Sequence, residues 1–424
     1  SRSKPDSSMH VGLNLVKGVV LSFLSVMLFL PSLTLAGYKL IDRTRHRRLV
    51  PELKTFGRKL FKISIPMLIL IVIIVVPCYL AQSQIDFQYG MGSLALSTRA
   101  GQDEAAVEAR FGKENALVLM VPRGDAGSEA ALSQALQAVP HVTGVVSYAT
   151  AVGSSVPVSY LNAEAAQTFY SARYARIILY TDTDSEGAEA FATVEQVKET
   201  AARYYDGDTW LVGQSATLYD MKNVVSTDTV IVNLCAVIGI FLVLLVTYRS
   251  LSIPLLLLFT IESAIWINLS LAYYMGQSFN FIGYLIISTV QLGSTVDYAI
   301  LLADRHLGNR RKLEKREAIK KALGENLLAI LTSAAILSTA GFTLAATSTN
   351  AIVAQLGTLL GRGTLLSLVM VTCVLPALLT LFDTVIRKTT LRSGFHSGDD
   401  IENGTDGDTP PQPSAQTPTT HQGA

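Results

Sequence analysis

Asp297 and Tyr298 are the residues most suggestive of chemistry in this sequence, because they lie within an otherwise apolar stretch. Residues 283–305 are long enough to cross a bilayer as an α-helix, and a carboxylate at that depth costs about 2.5–3.5 kcal/mol on insertion scales. Such an acid is either a structural group held neutral by a hydrogen bond or a proton carrier, because a desolvated carboxyl group binds a proton more readily. Both interpretations place the pair inside a helix bundle.

Two small residues precede the pair by about one helical turn, and a second acid lies earlier in the sequence. Gly293 is on the same helix face as Asp297, so we expect it to let a neighbouring helix come close to the acid. Ser294 is a candidate hydrogen-bond partner for either Asp297 or Tyr298. Glu262, in another apolar segment, is predicted to line a proton or substrate path or to be a hydrogen-bonded structural acid.

Hydroxyl side chains recur in the sixth apolar segment at intervals of about one or two helical turns, and they include Thr339 and Thr343. Such a stripe either carries protons through water or joins helices by hydrogen bonds, and the second use is the commoner one. Thr339 and Thr343 are therefore candidates for pathway or packing support.

The composition is that of a membrane protein, since 50% of the residues are hydrophobic. The three cysteines, Cys78, Cys235 and Cys373, fall in different apolar segments, so they predict neither a disulfide framework nor a metal site. We expect no enzyme activity, no cofactor, no metal and no nucleic-acid partner.

The hydropathy pattern predicts an α-helical polytopic membrane protein with seven transmembrane helices. A polar region between the second and third spans, residues 83–226, alternates short strands with amphipathic helices and contains more acidic than basic residues. Its pattern predicts an α/β domain of two βαβ-like units, with strands at 115–121, 142–148, 174–180 and 209–212 and helices at 128–138 and 186–204. The predicted spans are residues 11–37, 63–82, 229–248, 252–275, 280–303, 327–347 and a segment within 351–382.

The distribution of Lys and Arg predicts the orientation of the chain. Basic residues crowd the loops at 43–62 and 305–321, so the positive-inside rule places both loops in the cytoplasm. The start of the chain and the 83–226 domain are then external. The polar tail after Ser393 is expected to be cytoplasmic and disordered.

Four finer expectations concern single segments. Residues 313–323 suit an amphipathic helix lying on the inner membrane surface. Arg362 is expected to snorkel toward the outer end of the last span, without a chemical role. Ser215 is expected to cap the helix that leads from the α/β domain to the membrane, and the prolines of the second span, Pro66 and Pro77, are expected near its ends.

Two motifs make the sequence resemble a known family. The segment Gly293-Ser-Thr-Val-Asp297-Tyr298 resembles the Gly-x-x-x-Asp-Tyr segment of MMPL-type transporters, which belong to the resistance–nodulation–division (RND) superfamily of proton-driven exporters. Residues 361–364, Gly-Arg-Gly-Thr, followed by the apolar run at 374–379, resemble the last membrane helix of that family. The resemblance extends from residue 11 to residue 388.

The resemblance implies proton-driven export of lipids or other hydrophobic compounds across a bacterial cytoplasmic membrane. Asp297 and Tyr298 would form the proton relay, and the external domain would be porter-like. In the family this pair works against a matching pair in a first half of the protein. The chain is thus expected to be a C-terminal fragment whose partners are membrane lipids, a hydrophobic substrate and the missing N-terminal half, or a second copy of itself. The predicted domains are 1–62 (leftover helix and basic loop), 63–82 (transmembrane helix), 83–226 (porter-like domain), 227–388 (five-helix bundle) and 389–424 (tail).

Three alternatives to an exporter differ in what they require of the acid. A secretion-accessory protein of the same superfamily would share the proton chemistry, whereas a non-transporting lipid or sterol sensor of related fold would need no titrating acid. An intramembrane aspartyl protease would require two facing acids, one of them in a Gly-x-Gly-Asp setting. Here Asp297 follows Gly-Ser-Thr-Val and has no partner acid in sequence, which argues against the protease.

Overall fold

The computed structural model divides into two units, Ser1–Glu52 and Leu53–Ala424. Residues 44–53 of the predicted basic loop at 43–62, and the predicted disordered tail at 394–424, lie outside the residues that the structure describes. The described residues are 7–43, 54–85, 87–90, 99–124, 126–276 and 278–391.

The first unit is a helical stretch over its described residues. It consists of α1 (Ser7–Leu24), a π-helical turn (Ser25–Phe29) and α2 (Leu30–Arg43). Its apolar segment Val16–Leu40 is long enough to span a bilayer.

The second unit begins with α3 (Lys54–Gln82), which starts earlier than the predicted span. The extra turns place Pro66 well inside the helix, so the expectation that it lies near an end is wrong, whereas Pro77 lies five residues before the end at Gln82. Proline is tolerated inside membrane helices where neighbouring helices satisfy the freed backbone groups. One side of α3 packs into an apolar cluster with residues of the last membrane helix, which supplies such neighbours.

An α/β domain follows α3, and its centre is a four-stranded antiparallel sheet of order β3-β4-β2-β5. The units β2-α5-β3 and β4-α7-β5 interlock, because each unit places its two strands on either side of a strand from the other. All four central strands lie within two residues of their predicted bounds. The elements are β1 (Phe87–Gln88), α4 (Arg99–Phe111), β2 (Asn115–Pro122), α5 (Ala126–Gln137), β3 (Val142–Val146), α6 (Ala163–Phe169), β4 (Tyr174–Thr181), α7 (Ala188–Tyr204) and β5 (Trp210–Gly213).

The core of this domain lies between the sheet and the helices α5 and α7. Side chains alternate between buried and less buried along β2 and β4, as expected when one face of a sheet is covered. Leu117 and Leu119 from β2 and Leu132 from α5 are at most 1% exposed. A fully buried leucine side chain contributes about 1.5–3 kcal/mol, so these residues stabilise the sheet–helix interface.

A long helix, α8 (Gln214–Tyr248), connects the domain to the membrane bundle without a break. The predicted domain boundary at 226/227 therefore falls inside one continuous helix. Gly213, not Ser215, is the residue that precedes the helix; its φ of 144° and its close approach to the Ala116 carbonyl oxygen both require a glycine. The Ser215 hydroxyl instead donates to the Ser185 carbonyl oxygen at 2.7 Å.

The remaining elements complete a helical bundle with α3 and α8. Among the described residues of both units, seven helices are long and apolar enough to cross a membrane, as the sequence predicts. The last elements are α9 (Ser252–Tyr274), β6 (Phe279–Asn280), α10 (Phe281–Arg310), α11 (Lys315–Thr347), α12 (Ala351–Val369), a π-helical turn (Met370–Val374), α13 (Leu375–Leu381) and α14 (Asp383–Thr389).

Glycines let α11 and α12 pack almost backbone to backbone. A Cβ at Gly341 would lie 2.6 Å from the Gly361 nitrogen, and a Cβ at Gly357 would lie 2.5 Å from the Ala345 nitrogen. Small residues spaced in this way are typical of membrane helix pairs, whose association depends on close van der Waals packing.

The amphipathic helix expected at 313–323 is not a separate surface element. α11 runs without interruption from Lys315, and the apolar residues of its first turns, among them Ala318, Ile319 and Leu323, are buried in the protein. Gly57 of α3 packs directly against this part of α11. The apolar stripe therefore faces the bundle, and the expectation that it lies on the membrane surface is wrong.

Candidate functional site

Asp297 lies on a face of α10 that no described residue covers. Its side chain is exposed, and no described residue donates a hydrogen bond to it or forms an ion pair with it. Val290 and Ile286, about two and three turns before it on the same face, are each 42% exposed. Because large apolar residues flank the acid, this face is built for lipid or for another membrane helix rather than for water.

Tyr298 points in another direction. Its side chain is only 6% exposed and belongs to the main apolar core of the bundle, with Ala299 and Leu302. Successive residues on a helix do not face each other, so Asp297 and Tyr298 diverge although they are adjacent in sequence. The structure of this chain does not bring the two groups of the predicted relay into contact.

The two small residues before the pair have different surroundings from those expected. A Cβ placed at Gly293 would meet nothing within 4 Å, so no described helix approaches Asp297 there. Ser294 donates its hydroxyl to the Gln291 carbonyl oxygen at 3.3 Å, within its own helix, and not to Asp297 or Tyr298. The Ser294 expectation is wrong, since the hydroxyl bonds to a nearer backbone acceptor. The Gly293 expectation stays a prediction, because it needs a helix on the uncovered face.

Glu262 lines a separate cavity of about 360 Å³ between α3, α8, α9 and α10. Polar groups from several helices converge there, and Ser288 donates to the Asn233 side-chain oxygen at 3.4 Å. Asp297 is not among the lining residues, so the two acids occupy different places. Other lining residues include Tyr79, Gln82, Trp266, Leu269, Tyr284, Thr289 and Leu292.

Arg362 forms hydrogen bonds inside the bundle and does not snorkel freely. Its Nε donates to Asn268 Oδ1 at 2.8 Å, and one Nη donates to the Asn268 carbonyl oxygen at 2.8 Å. The Asn268 amide nitrogen in turn donates to Gln291 Oε1 at 2.8 Å and to the Leu359 carbonyl oxygen at 3.0 Å. These bonds tie α9, α10 and α12 together, because each helix contributes one of the three side chains.

The network continues along α10 on the side away from Asp297. The Thr295 hydroxyl donates to the Gln291 carbonyl oxygen at 2.6 Å and is hydrogen-bonded to the Ser367 hydroxyl at 2.9 Å. Gly363 leaves room for the contact between Asn268 and Gln291, since a Cβ at position 363 would overlap both side chains. The sequence does not predict that Asn268 pairs with Gln291 and Arg362, because these partners are 23 and 94 residues away in the chain.

The threonines of the predicted stripe lie on the outside of α11. Thr339 and Thr343 are exposed, and no described residue contacts them through a hydrogen bond to the hydroxyl. The helix-joining bond expected of the stripe is made by Ser338, which donates to the Gly361 carbonyl oxygen at 3.0 Å. The two threonines therefore give no packing support between the described helices.

The helix that carries Asp297 is joined to the α/β domain at its amino-terminal end. Asn280 caps α10 and donates to the Gly90 carbonyl oxygen at 2.9 Å. Glu186, in the loop after β4, accepts from the backbone nitrogens of Tyr89 at 2.8 Å and Gly90 at 2.9 Å. The Tyr89 ring stacks on Phe281 with 5.7 Å between centroids. The segment 87–90 thus connects the domain to the first turn of α10, and β1 pairs in parallel with β6 at the same place.

The seven candidate spans and the domain inserted between α3 and α8 define a polytopic membrane protein. Over the described ranges, no three His, Cys, Asp or Glu side chains come together as a metal site would require. The model of the MMPL family matches residues 93–395, which is most of the chain and includes Asp297 and Gly361. The chain therefore belongs to the MMPL family, as the two sequence motifs predict.

A curated relative supports this assignment. The chain is 28% identical over 205 residues to the membrane protein ActII-3 of Streptomyces coelicolor, and the alignment covers 46% of this chain. It covers only 28% of ActII-3, so the chain matches less than a third of the length of that relative.

Proposed function

We propose that this chain is the proton-coupled part of an RND-type exporter of lipids or other hydrophobic compounds. The observation that carries the proposal is the placement of Asp297, an acid without a described partner on an uncovered apolar face of a membrane helix. A structural acid would be hydrogen-bonded inside the bundle, as Asn268 and Gln291 are. Membership of the MMPL family adds the expectation of transport.

The uncovered face is completed by a second membrane bundle, either from further sequence of the same protein or from another copy. In this proposal a side chain of the second bundle contacts Asp297 on the uncovered face. Tyr298, in the core on the other side of α10, shifts together with the helix. A proton that enters down the membrane potential supplies about 2.3 kcal/mol per 100 mV. Protonation removes the charge of Asp297 and lets this face pack more closely against its cover.

Movement of α10 reaches the α/β domain through the segment 87–90. Asn280 at the start of α10 is bonded to Gly90, and Glu186 of the domain holds Tyr89 and Gly90 by their backbone nitrogens. A shift of the helix axis therefore acts on the domain through short hydrogen bonds rather than through a flexible linker. The domain is the external porter-like part in this proposal.

The cavity lined by Glu262 is the proposed path for cargo or for a second proton. It is mostly apolar, with a few polar groups, a lining that suits an amphipathic or hydrophobic molecule entering from the bilayer. Glu262 is the only acid that lines it among the described residues.

Asp297→Asn tests the proton role, because asparagine keeps the size of the side chain but cannot titrate. In the whole protein, reconstituted in vesicles with an imposed pH gradient, the variant is expected to lose at least about 90% of cargo flux while its amount in the membrane is unchanged. Asp297→Glu is expected to retain little activity. Asp228→Asn removes an exposed carboxylate from α8 and serves as the matched control, with normal flux. Normal flux in Asp297→Asn would refute the proposal.

The orientation is proposed from the positive-inside rule, with the α/β domain outside the cell and the 305–321 region in the cytoplasm. Single cysteines at Asn162 and Lys315, in a background without Cys78, Cys235 and Cys373, report it directly. An impermeant thiol reagent is expected to label Asn162→Cys in intact cells and to label Lys315→Cys only after lysis. The reverse pattern would overturn the orientation.

A further inference from the structure

A basic cavity of about 970 Å³ lies at the end of the bundle where α8 and α10 finish. We define the basic cavity by its five cationic lining residues, which come from the turn after α8, from α10 and the turn after it, and from α11. Leu391, after α14, closes one side. The cationic residues are Arg249, Arg305, Arg311, Lys312 and Lys321.

The charges of the basic cavity are not compensated from within the described part of the protein. Asp304 is the only acid in its lining, against five cations, and none of those five side chains has a described ion pair or hydrogen bond. Neighbouring cations do have partners. Arg310 forms a buried double hydrogen bond with Asp383 at 2.8 and 2.9 Å, and Lys320 pairs with Glu317 at 2.7 Å.

The walls of the basic cavity are fixed by the fold and do not depend on a bound ligand. Arg249 ends α8 in the left-handed conformation, with φ of 48°, and its carbonyl oxygen accepts from the Leu391 nitrogen at 3.1 Å. Ser250 and Thr390 form an antiparallel bridge beside it. The Tyr248 hydroxyl donates to the Ile300 carbonyl oxygen at 3.2 Å, which joins α8 to α10 at the cavity wall. Such preorganisation lowers the cost of ligand binding.

We propose that the basic cavity binds a phosphate group, carried by an anionic phospholipid head group or by a soluble phosphate. Arginine side chains present parallel donors that match phosphate oxygens, and three of the five cations are arginines. The cavity lies where two candidate spans end, which is the depth of lipid head groups. Leu307 and Leu391 add an apolar edge that an acyl chain or glycerol backbone contacts. Its volume is near the upper end of the roughly 300–1,000 Å³ typical of ligand pockets, so a whole head group fits.

A general attraction between basic loops and anionic membranes differs from a phosphate site in which of the cations contribute to binding. In that case every exposed cation at this end of the bundle contributes alike. A phosphate site instead concentrates the effect in the cavity lining. Lys315 and Arg316 are exposed on the first turn of α11 and do not line the cavity, so they provide a control with the same change in charge.

The test measures the thermal stability of the purified chain in neutral detergent during titration with short-chain phosphatidylglycerol. Binding to the folded state raises the unfolding temperature in a saturable way. The double variant Arg305→Gln/Arg311→Gln is expected to weaken the apparent affinity at least about tenfold, because two charged donors are lost. The double variant Lys315→Gln/Arg316→Gln is expected to stay within about twofold of the unchanged chain. Arg305 and Arg311 are exposed, so the variants should fold.

Parallel titrations identify the source of the phosphate. Short-chain phosphatidylcholine is expected to bind much more weakly, since its choline brings a cation into a cationic cavity. Stabilisation by inorganic phosphate at the concentrations effective for phosphatidylglycerol supports the site and assigns it to a soluble phosphate; stabilisation by the lipid alone assigns it to a head group. Equal losses in both double variants, or no saturable response to either phosphate source, would overturn the proposal.

Discussion

On one side of α10, Gln291 and Thr295 are buried and bonded to Asn268 and Ser367 of neighbouring helices; on another side, Asp297 is exposed and no described residue bonds to it. The first group is fully satisfied by the chain itself, so its function is to hold α9, α10 and α12 in place. The second is a residue with a high insertion cost in a membrane, yet the described part of the chain gives it no partner. The contrast separates structural polar residues from the one we propose to be functional.

Gly363→Ala is expected to give the largest loss of stability, because it disturbs the side of α10 whose polar groups are hydrogen-bonded to neighbouring helices. A Cβ there overlaps Gln291 and Asn268, so the free energy of unfolding should fall by about 2–3 kcal/mol. Gly239→Ala on α8 is the matched control, since a Cβ there meets nothing within 4 Å and alanine favours a helix. Equilibrium unfolding in mixed micelles measures both. Equal losses of unfolding free energy at the two glycines would contradict the claim that the hydrogen-bond network requires glycine at position 363.

Asn268→Leu should come next, with a loss of about 2 kcal/mol. The change removes the acceptor for Arg362 Nε and the donor to Gln291, so the half-buried guanidinium and the buried amide each lose a partner. A double-mutant cycle with Arg362→Leu is expected to show a coupling free energy of about 1 kcal/mol or more. Additive losses would mean that the two side chains are neighbours without a shared bond.

The pH dependence of the α/β domain provides a smaller effect, outside the membrane. Burial raises the pKa of the Glu129 carboxyl group above its ordinary value, although the Tyr170 hydroxyl donates to it at 2.9 Å and opposes the shift. The folded domain therefore binds this proton more tightly than the unfolded chain. Stability is fully present at acidic pH and is lost as the pH rises through the folded-state pKa.

Glu129→Gln should abolish this part of the pH dependence and make the domain more stable at neutral pH. Fluorescence of Trp210 in β5 follows domain unfolding once the second tryptophan, Trp266, is replaced by Phe. Glu195→Gln, an exposed acid on α7, is the control and should leave the pH profile unchanged. An unaltered profile in Glu129→Gln would show that this carboxyl group does not set the pH dependence.

The smallest expected effect is that of Asp297→Asn on stability. Because the carboxyl group has no described partner, the free energy of unfolding in micelles should change by less than about 0.5 kcal/mol. The same unfolding assay as for Gly363→Ala and Asn268→Leu applies. A loss as large as that of Asn268→Leu would show that Asp297 is a structural acid and would erase the difference between the two sides of α10.

The elements themselves could be predicted from sequence because their signals are local. Seven long apolar segments, and the alternation of buried residues along β2 and β4, are both visible in the order of residues. The interlocked order of the strands follows from pairings between distant segments, and only the structure supplies it. Helix ends were less predictable, as α8 and α11 show, since both run on through segments assigned to other elements.

The surroundings of the site could not be predicted, because they depend on which side of a helix meets another. The helical period gives the positions of Gly293 and Ser294 relative to Asp297, but the sequence does not reveal that no described residue covers this side of α10. The apolar stripe at the start of α11 has the same pattern whether it faces lipid or protein. For Arg362, a long side chain at a helix end suits both snorkelling and a bond to Asn268, 94 residues away.

The central claim is that Asp297 works only when a second bundle covers its face of α10, and flux in vesicles tests it most directly. The chain alone, reconstituted with an imposed pH gradient, is expected to give no gradient-dependent cargo flux. Co-expression with the remaining sequence of the whole protein is expected to restore flux, and Asp297→Asn to abolish it again. Robust gradient-driven transport by the chain alone, unaffected by Asp297→Asn, would contradict the account.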